Sequence, residues 1–294
     1  MPLKKPPPPA TVEDFIRHGA QRFIKEKIGF GHGTDNAVDE AAWLVLETLR
    51  LPVDETAPLD KTLTAAEARK VLAIIEKRIE TRKPAAYLLK KAYLQGLSFY
   101  VDERVIVPRS FIGELLPDFD LMSTAPKTVL DLCTGSGCLA VLAAYLFPKA
   151  KVDAVDLSAK ALAVAKRNVK DHRLEKRVKL HKGDLFAPLK GKKYDLIITN
   201  PPYVDEKAMK KLPKEYRHEP QMALGSGKDG LDITRRILKE AADHLNADGG
   251  ILCEIGRGKT LLEREYKRLP FLWLDTELSE GEVFWLTGKQ LTSS

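Results

Sequence analysis

The sequence has few of the residues and runs that would assign it to a specialised class of protein. It has only three cysteines, Cys133, Cys138 and Cys253, and no C-x-x-C pair, which excludes a disulfide framework and a zinc ribbon. It has no run of about 18 apolar residues, and its first residues, MPLKKPPPPA, lack the apolar stretch of a secretory signal. Its six histidines are scattered without metal-ligand spacing. We therefore expect a soluble, cytoplasmic protein with reduced cysteines, no metal and no membrane segment.

The composition supplies ample apolar material for one large domain or two ordinary ones, because 44% of the 294 residues are hydrophobic. The formal net charge of +7 is unevenly distributed. Residues 61–93 carry nine basic against three acidic side chains, residues 151–195 carry thirteen against six, and residues 31–60 carry one against seven. Basic segments suit an anionic partner such as RNA, but they also solvate helix surfaces. Both interpretations stay open, because no RNA-binding strand motif accompanies the charge.

The first ninety or so residues predict a small helical domain. Residues 1–10 form a proline-rich tail that we expect to be disordered. Thr11 is an N-cap candidate, and apolar residues follow it at every fourth position, as in an amphipathic helix. A second apolar-rich helix fits residues 38–49, and a capping box formed by Thr64 and Glu67 opens a third.

The pattern then changes to short runs rich in β-branched residues. The segment FYVDERVIVP, residues 99–108, has two such runs around Asp102 and predicts a β-hairpin linker within residues 93–120. From Thr128 onward, strand-like runs alternate with helical patterns. This alternation predicts an α/β domain over residues 121–294, with a mostly parallel sheet covered by helices on both faces. Ligands bind such sheets beyond the carboxyl ends of the strands.

The turn after the first predicted strand of this sheet has the features of a nucleotide site. Gly135 and Gly137 let the backbone approach a ligand closely, and a helix with free N–H groups begins directly behind them. Asp156 ends the next strand, where a carboxylate can accept hydrogen bonds from both ribose hydroxyls. These features predict a nucleoside-bearing cofactor. Residues 135–140 also match the G-x-G-x-x-A fingerprint, so NAD stays a rival on this evidence.

The fourth strand separates these alternatives, because it delivers the turn Asn200-Pro201-Pro202-Tyr203. Two successive prolines remove backbone donors and leave carbonyl acceptors free. Asn200 adds an amide acceptor and donor, and Tyr203 adds an aromatic wall. Such a set can hold a planar NH₂ group. Nothing in the sequence supplies the proton-transfer residue paired with a substrate-anchoring arginine that an NAD enzyme would need.

These residues resemble the S-adenosylmethionine-dependent methyltransferases of the Rossmann-like class, and among them the protein-glutamine N5-methyltransferases. That family pairs an NPPY turn with a helical N-terminal domain and a β-hairpin linker. The resemblance covers nearly the whole chain. The stretches VLDLCTGSGCLAVLAA, YRHEP and EVFWLT are similar to the branch that modifies the third protein of the large ribosomal subunit. The branch that modifies release factors is expected to carry PRPETE where this chain has PRSFIGE at residues 108–114.

The resemblance implies S-adenosylmethionine as the cofactor and a large-subunit ribosomal protein, with ribosomal RNA near it, as the partner. It gives the helical domain, residues 11–92, a role in substrate recognition. It implies that catalysis rests on the NPPY turn: the Asn200 side-chain oxygen and the Pro201 carbonyl accept the two hydrogens of a glutamine amide, and Tyr203 packs on the amide plane.

The resemblance also implies particular ligand-binding residues. Arg109, Glu219 and Pro220 are the candidate substrate residues. Glu219 and Pro220 lie in a long loop beyond a strand end, where functional residues tend to lie, and they either shape the substrate entrance or simply structure the loop. The residues implied for the cofactor lie in the glycine turn, at the ribose-type acid, in the GDLF segment and in the NPPY turn: Asp131, Cys133, Thr134, Gly135, Ser136, Gly137, Asp156, Leu157, Asp184, Leu185, Phe186 and Asn200.

Three other functions stay open from the sequence. A release-factor glutamine methyltransferase would use the same turn. A DNA or RNA adenine N6-methyltransferase could hold an exocyclic NH₂ in it, although such an enzyme should carry additional target-recognition segments. A non-catalytic RNA- or ribosome-binding protein would explain the two basic segments, and it would be recognised by failure to bind the cofactor.

Overall fold

A computed structural model describes residues 10–118 and 120–292 of the chain. Of the predicted disordered tail, only Ala10 is described, and it is buried, with its carbonyl accepting a hydrogen bond from the Leu63 N–H at 3.1 Å. The prediction of disorder is wrong for this residue, because Ala10 is buried and hydrogen-bonded. Residues 1–9 lie outside the described residues. The chain forms two compact units, of which the first has residues up to Lys91 and Pro213–His218, and the second has Ala92–Leu212 and the residues from Glu219 onward.

The first unit is helical, as the sequence predicts. Capping boxes formed by Thr11 with Asp14 and by Thr64 with Glu67 open its first and third helices, and Asn36 caps its second. The helices are α1 (Val12–Lys25), α2 (Ala37–Leu49), α3 (Ala65–Thr81) and α4 (Ala85–Leu89).

A buried charge cluster lies inside this helical unit. Arg78 of α3 is completely buried, and its Nε donates to Glu40 Oε1 at 2.6 Å while its Nη2 donates to the Gly29 carbonyl at 2.9 Å. Glu215 accepts a hydrogen bond from the Gly29 N–H at 3.0 Å and forms an ion pair with Arg82 at 3.3 Å. Glu215 thereby holds its segment, Pro213–His218, in a unit that is distant in sequence, which the sequence patterns did not indicate.

The second unit opens with a β-hairpin of two strands, β1 (Ala92–Leu94) and β2 (Leu97–Phe99). Gln95 and Gly96 form the turn between them with φ angles of 48° and 72°, as a tight two-residue hairpin turn requires. A hairpin therefore exists in the linker region, but the prediction that it is centred on Asp102 is wrong.

The segment after this hairpin has no strand, despite its β-branched residues. The Asp102 carboxylate accepts a hydrogen bond from the Arg104 N–H at 3.1 Å, which turns the chain locally. The Val107 N–H donates to Glu219 Oε1 at 3.0 Å instead of to a neighbouring strand. Val105 and Val107 are buried. Their apolar character thus reflects burial and not strand pairing.

A seven-stranded sheet forms the centre of the second unit. Its strands are β3 (Thr128–Leu132), β4 (Lys151–Asp156), β5 (Val178–Lys182), β6 (Tyr194–Thr199), β7 (Leu245–Glu254), β8 (Leu272–Leu274) and β9 (Val283–Thr287). They lie in the order β5-β4-β3-β6-β7-β9-β8. Five strands, β5, β4, β3, β6 and β7, are parallel to one another, whereas β9 is antiparallel to both β7 and β8. This arrangement confirms the predicted mostly parallel α/β fold.

Apolar clusters cover both faces of this sheet. Val129 and Leu196 belong to one cluster, and their chain neighbours Leu130 and Ile197 belong to the other, because successive side chains of a strand point to opposite faces. The second unit also contains the helices α5 (Ile112–Leu115), α6 (Cys138–Leu146), α7 (Ala159–Asp171), α8 (Glu206–Lys211), α9 (Asp232–Ala241), α10 (Lys259–Glu265) and α11 (Gly288–Thr292). No helix in the described parts of the chain combines the length and apolarity needed to cross a membrane.

Candidate active site

A cavity opens beyond the carboxyl ends of β3, β4 and β6. Because β3 lies between the other two strands, the chain changes direction across the sheet at this point, and open α/β sheets bind their ligands at such switch points. The end of β4, the start of α7 and the loops that follow these strands and β5 contribute the lining residues Cys133, Gly135, Val155, Asp156, Leu157, Ser158, Ala161, Gly183, Asp184, Leu185, Asn200 and Pro202.

Two segments distant in sequence contribute the rest of the lining. Arg104, Val105 and Ile106 come from the segment after the hairpin, which the sequence assigned to strands. Of the later segment, the sequence indicated only Pro220. No local sequence pattern indicated Met222, Ala223 and Ile233, because long-range packing brings them to the cavity.

The glycine turn is shaped by left-handed backbone conformations. Gly137 has φ of +78° at the start of α6, and a Cβ there would lie 3.1 Å from the Ala165 Cβ, so a side chain would crowd α7. Gly135 has φ of +57°, and its N–H donates to Asp156 Oδ2 at 2.8 Å. Glycine is favoured at both positions because other residues adopt such φ angles at a cost. The turn therefore exposes backbone to the cavity at Gly135.

Asp156 has both carboxylate oxygens anchored and still has acceptor capacity. Its Oδ2 accepts the Gly135 N–H, and its Oδ1 accepts the Ser158 N–H at 2.7 Å. Each carboxylate oxygen can accept a second hydrogen bond. Burial raises the pKa of Asp156, although the two N–H groups act in the opposite direction. The carboxylate is thus oriented to accept two hydroxyl groups from the cavity side.

Asp131 lies beneath the glycine turn and not on the cavity lining. Its Oδ2 accepts hydrogen bonds from Thr134 Oγ1 at 2.5 Å and from the Ala140 N–H at 3.0 Å. Burial raises the pKa of Asp131 to about 7, while these two hydrogen bonds lower it. Ser136 is also buried. Of the cofactor residues expected in the glycine turn, Asp131, Thr134, Ser136 and Gly137 support the turn, whereas Cys133 and Gly135 reach the cavity.

The GDLF segment places two of its three predicted residues on the lining. Asp184 Oδ2 accepts a hydrogen bond from Arg236 Nη2 at 2.7 Å, so its other oxygen is available to a ligand. Leu185 has φ of +48°, an uncommon conformation for a bulky residue. Phe186 is buried instead and stacks on His244 with ring centroids 4.5 Å apart. It supports the lining from behind.

The NPPY turn follows β6 at the same sheet edge, since Thr199 pairs with Leu132 of β3. Asn200 and Pro202 line the cavity, and Pro201 is buried. Within the described residues, the Asn200 side-chain amide makes no hydrogen bond. An amide that faces a cavity without an internal partner is available to a ligand.

Tyr203 is held by a buried carboxylate that no sequence pattern indicated. Its hydroxyl donates to Glu254 Oε1 at 2.9 Å, and Glu254 Oε2 accepts from Ser110 Oγ at 2.6 Å and from the Phe111 N–H at 3.0 Å. Burial raises the pKa of Glu254 to about 7, and these donors lower it. A Cβ at Gly256 would lie 2.7 Å from Tyr203 Cδ2, so the ring packs directly on this glycine. The sequence pattern that bears on Glu254 is that of an acidic residue at the end of an apolar strand.

The three predicted substrate residues come together, but two of them bind each other. Arg109 donates from Nη1 and Nη2 to the two oxygens of Glu219 at 2.6 and 2.8 Å. The buried Glu219 also accepts the Val107 N–H. Pro220 follows directly and lines the cavity. The ion pair thus fixes the segment that brings Pro220 to the cavity.

The cysteines are unsuited to nucleophilic catalysis. Burial raises the pKa of the Cys133 and Cys253 thiols and raises that of Cys138 to about 12, so all three stay protonated near neutral pH. Across residues 10–118 and 120–292, no group of three or more potential ligands could hold a metal ion.

The parallel sheet and the cavity at its switch point define a Rossmann-like fold, and the family match and the relatives below make the chain a methyltransferase. The Methyltransferase small domain family matches residues 115–227. The solved structure of the hMettl16 catalytic domain in complex with MAT2A 3′UTR hairpin 6 is similar in fold, with a TM-score of 0.50 and 17% identity over 79% of this chain and 84% of that one. A methyltransferase of this fold uses S-adenosylmethionine, which confirms the predicted cofactor over NAD.

Two relatives identify the family. The ribosomal protein uL3 glutamine methyltransferase of Bradyrhizobium diazoefficiens is 56% identical over 292 residues, which cover 96% of this chain and 92% of that protein. The protein of the same name from Burkholderia pseudomallei is 52% identical over 298 residues, which cover 97% of each chain. The chain therefore belongs to the family of ribosomal protein uL3 glutamine methyltransferases, as the resemblance indicated.

The cavity fits S-adenosylmethionine in its donor groups and its apolar walls. Asp156 has acceptor capacity for ribose hydroxyls, and one Asp184 oxygen is free to accept an adenine amino group. Leu157 and Met222 line the cavity although they are 55% and 54% exposed, so they offer apolar surface to a ligand. The open backbone at Gly135 leaves room for the methionine part.

Proposed function

We propose that this chain transfers a methyl group from S-adenosylmethionine to the side-chain nitrogen of a glutamine in ribosomal protein uL3, and that it acts in the cytoplasm, where ribosomal proteins are made. The observation that carries the proposal is the Asn200 amide, which lines the same cavity as Asp156 and has no hydrogen-bond partner in the described chain. Family membership supports the substrate.

The chemical task is mainly one of orientation. A glutamine amide nitrogen is a poor nucleophile, because its lone pair is delocalised into the carbonyl. S-adenosylmethionine supplies a methyl group that is already activated on a sulfonium. We assign to the Asn200 side-chain oxygen and the Pro201 carbonyl the acceptance of the two amide hydrogens, which favours the pyramidal nitrogen and points its lone pair in one direction. A dedicated base is not required, because the proton can leave after methyl transfer.

Tyr203 provides the wall on which we expect the glutamine amide plane to pack. The hydrogen bond to Glu254 and the contact with Gly256 fix its ring, so little conformational freedom remains to be lost when substrate binds. The same hydrogen bond leaves the hydroxyl engaged away from the reacting nitrogen. Tyr203 therefore serves in this proposal as a positioning surface and not as a proton acceptor.

We assign the remaining predicted residues by their positions. Asp156 would hold the ribose, Asp184 the adenine amino group, and Leu157 and Leu185 the faces of the base. Arg109 and Glu219 would act indirectly, by fixing the segment that carries Pro220 to the substrate entrance. The helical domain, residues 11–92, is proposed to recognise uL3.

A competition assay tests the substrate assignment. The protein is incubated with radiolabelled cofactor and equal amounts of unmodified uL3, a release factor and an adenine-containing RNA. We expect label on uL3, recovered as N5-methylglutamine after proteolysis. Preferential labelling of the release factor or of adenine would overturn the proposal in favour of the corresponding rival. Binding of cofactor is measured in the same preparation, and its absence would favour the non-catalytic alternative.

A further inference from the structure

A second cavity, of about 410 Å³, lies at the opposite edge of the sheet, where the parallel strands begin. Six of its lining residues are basic, and one is acidic. The basic residues belong to the starts of β4, β5 and β6 or to the turns before them. The lining consists of Thr128, Lys151, Val152, Asp153, Lys176, Arg177, Lys179, Lys192, Lys193 and Tyr194. We name it the basic cavity.

The single acidic residue of the basic cavity does not neutralise this charge. Asp153 already accepts hydrogen bonds from Lys192 Nζ and Tyr194 Oη, both at 2.8 Å, and His181 Nε2 lies 2.7 Å from its other oxygen. These partners lower the pKa of Asp153 against the effect of burial, so it stays ionised and is committed to them. One lysine is therefore compensated, and the other five cations are not.

Three of the uncompensated cations are exposed lysines. Lys151, Lys176 and Lys179 have no ion pair with any residue in the described ranges. Arg177 is fixed in place, because its guanidinium donates to the carbonyls of Phe147 and Pro148 at 3.2 and 2.7 Å. The basic cavity thus combines exposed lysine side chains with one fixed guanidinium.

The basic cavity is wide and separate from the active site. It spans the beginnings of four neighbouring strands, β5, β4, β3 and β6, which corresponds to about 14 Å at the usual strand spacing. Each of these strands is five to six residues long. At the usual rise per residue, the basic cavity at their beginnings therefore lies roughly 17–20 Å from the cofactor cavity at their carboxyl ends. A ligand bound here therefore leaves the NPPY turn and Asp156 accessible.

We propose that the basic cavity binds the phosphate backbone of RNA. A row of cations about 14 Å wide can contact several phosphates at once, which a single small anion cannot exploit. An acidic protein partner is disfavoured, because specific protein interfaces have an apolar centre and the only aliphatic side chain here is that of Val152. The cavity does not depend on the methylation chemistry, so this proposal is independent of the proposed function.

Salt-dependent RNA binding tests the proposal. The triple variant Lys151→Gln, Lys176→Gln, Lys179→Gln removes three cations from exposed positions, where folding is not at risk. The matched control is Arg264→Gln, Lys267→Gln, Arg268→Gln, which removes the same charge from exposed positions that do not line the cavity. Fluorescence anisotropy of a labelled RNA hairpin is measured with each protein over a range of KCl concentrations.

We expect the cavity variant to bind the hairpin at least about tenfold more weakly at low salt, with a salt slope smaller in magnitude by about 2 to 3, as three lost phosphate contacts require. The control should follow the unmodified protein. Equal slopes for the two variants, or no binding by the unmodified protein, would overturn the proposal. So would displacement of the RNA by poly-glutamate at equal concentrations of charge, since that would favour an acidic protein. None of these results bears on methylation of uL3.

Discussion

At the scale of single residues, Asp156 is the side chain on which cofactor binding should depend most. We expect Asp156→Asn to weaken S-adenosylmethionine binding by roughly 10- to 100-fold, since hydrogen bonds to a charged group contribute about 1.5–3 kcal/mol. Isothermal titration calorimetry measures the effect. Asp171→Asn, on the exposed end of α7, is the matched control and should bind as the unmodified protein does. Unchanged affinity of the Asp156 variant would contradict the assignment.

Glu254 should make folding stability depend on pH in an unusual direction. Its pKa of about 7 in the folded protein exceeds its ordinary value of 4.5, so its stabilising contribution is complete below pH 4.5 and is lost as the pH rises to about 7. This difference in the pKa of Glu254 corresponds to about 3 kcal/mol in the free energy of unfolding. Glu254→Gln preserves volume and an acceptor but does not titrate.

Urea unfolding of both proteins between pH 4.5 and 8 checks this prediction. We expect the free energy of unfolding of the unmodified protein to fall relative to that of Glu254→Gln as the pH rises, and the difference to level off above about pH 7. Because the other titrating groups are common to both proteins, the comparison isolates Glu254. Parallel pH profiles would show that its carboxyl group titrates normally.

The residues that could be predicted are those whose role follows from local position. Asp156 ends a strand and Asn200 directly follows one, where parallel sheets place ligand-binding groups, and both line the cavity. Glu254 could not be predicted, because its partner Tyr203 is 51 positions away. The same holds for Arg104 and Met222, which reach the cavity only when separate segments fold together.

At the scale of elements, the helical unit depends on the buried pair of Arg78 and Glu40. We expect Arg78→Met to lower the free energy of unfolding by about 3–5 kcal/mol, because it leaves the Glu40 carboxyl buried without its cation. The double variant Arg78→Met, Glu40→Leu should recover much of this loss, since Glu215, the other carboxylate near Arg78, keeps its ion pair with Arg82. Urea unfolding followed by circular dichroism measures both. A double variant that is less stable than the single one would contradict this account.

Elements set by neighbouring residues could be predicted, and elements set by distant ones could not. The capping box of Thr64 with Glu67 forms within one helical turn, and α3 begins where it indicates. The segment around Asp102 has the composition of a strand, but Val107 bonds Glu219 and the hairpin forms at Gln95 and Gly96 instead. Composition alone does not reveal such long-range partners.

At the scale of the whole molecule, the alternation of strand and helix patterns was sufficient to predict the sheet, because each crossover connection constrains the next strand to run parallel. The return of Pro213–His218 to the helical unit was not predictable, since it depends on Glu215 meeting buried groups far away in sequence. The role of the helical domain in recognising uL3 stays a prediction.

Residues 31–60 of the helical unit, which we call the acidic segment, form the surface that we expect a basic ribosomal protein to contact. Glu55→Gln with Asp60→Asn should raise KM for uL3 by roughly two- to tenfold, more at low salt, and leave kcat and cofactor binding unchanged. Steady-state methylation kinetics measure this. Lys70→Gln with Lys77→Gln, on exposed positions of α3, is the control and should not raise KM. Equal effects of both variants on KM would indicate that the acidic residues only solvate the surface and do not contact uL3.

The most direct test of the central claim is tandem mass spectrometry of uL3 after incubation with S-adenosylmethionine and either the unmodified protein or Asn200→Ala. We predict one methyl group on the side-chain nitrogen of a single glutamine with the unmodified protein, and at most a trace with the variant even where calorimetry shows that it binds the cofactor. A methyl group on another residue type, or equal methylation by the variant, would contradict the assignment of the NPPY turn as the site that holds the glutamine amide.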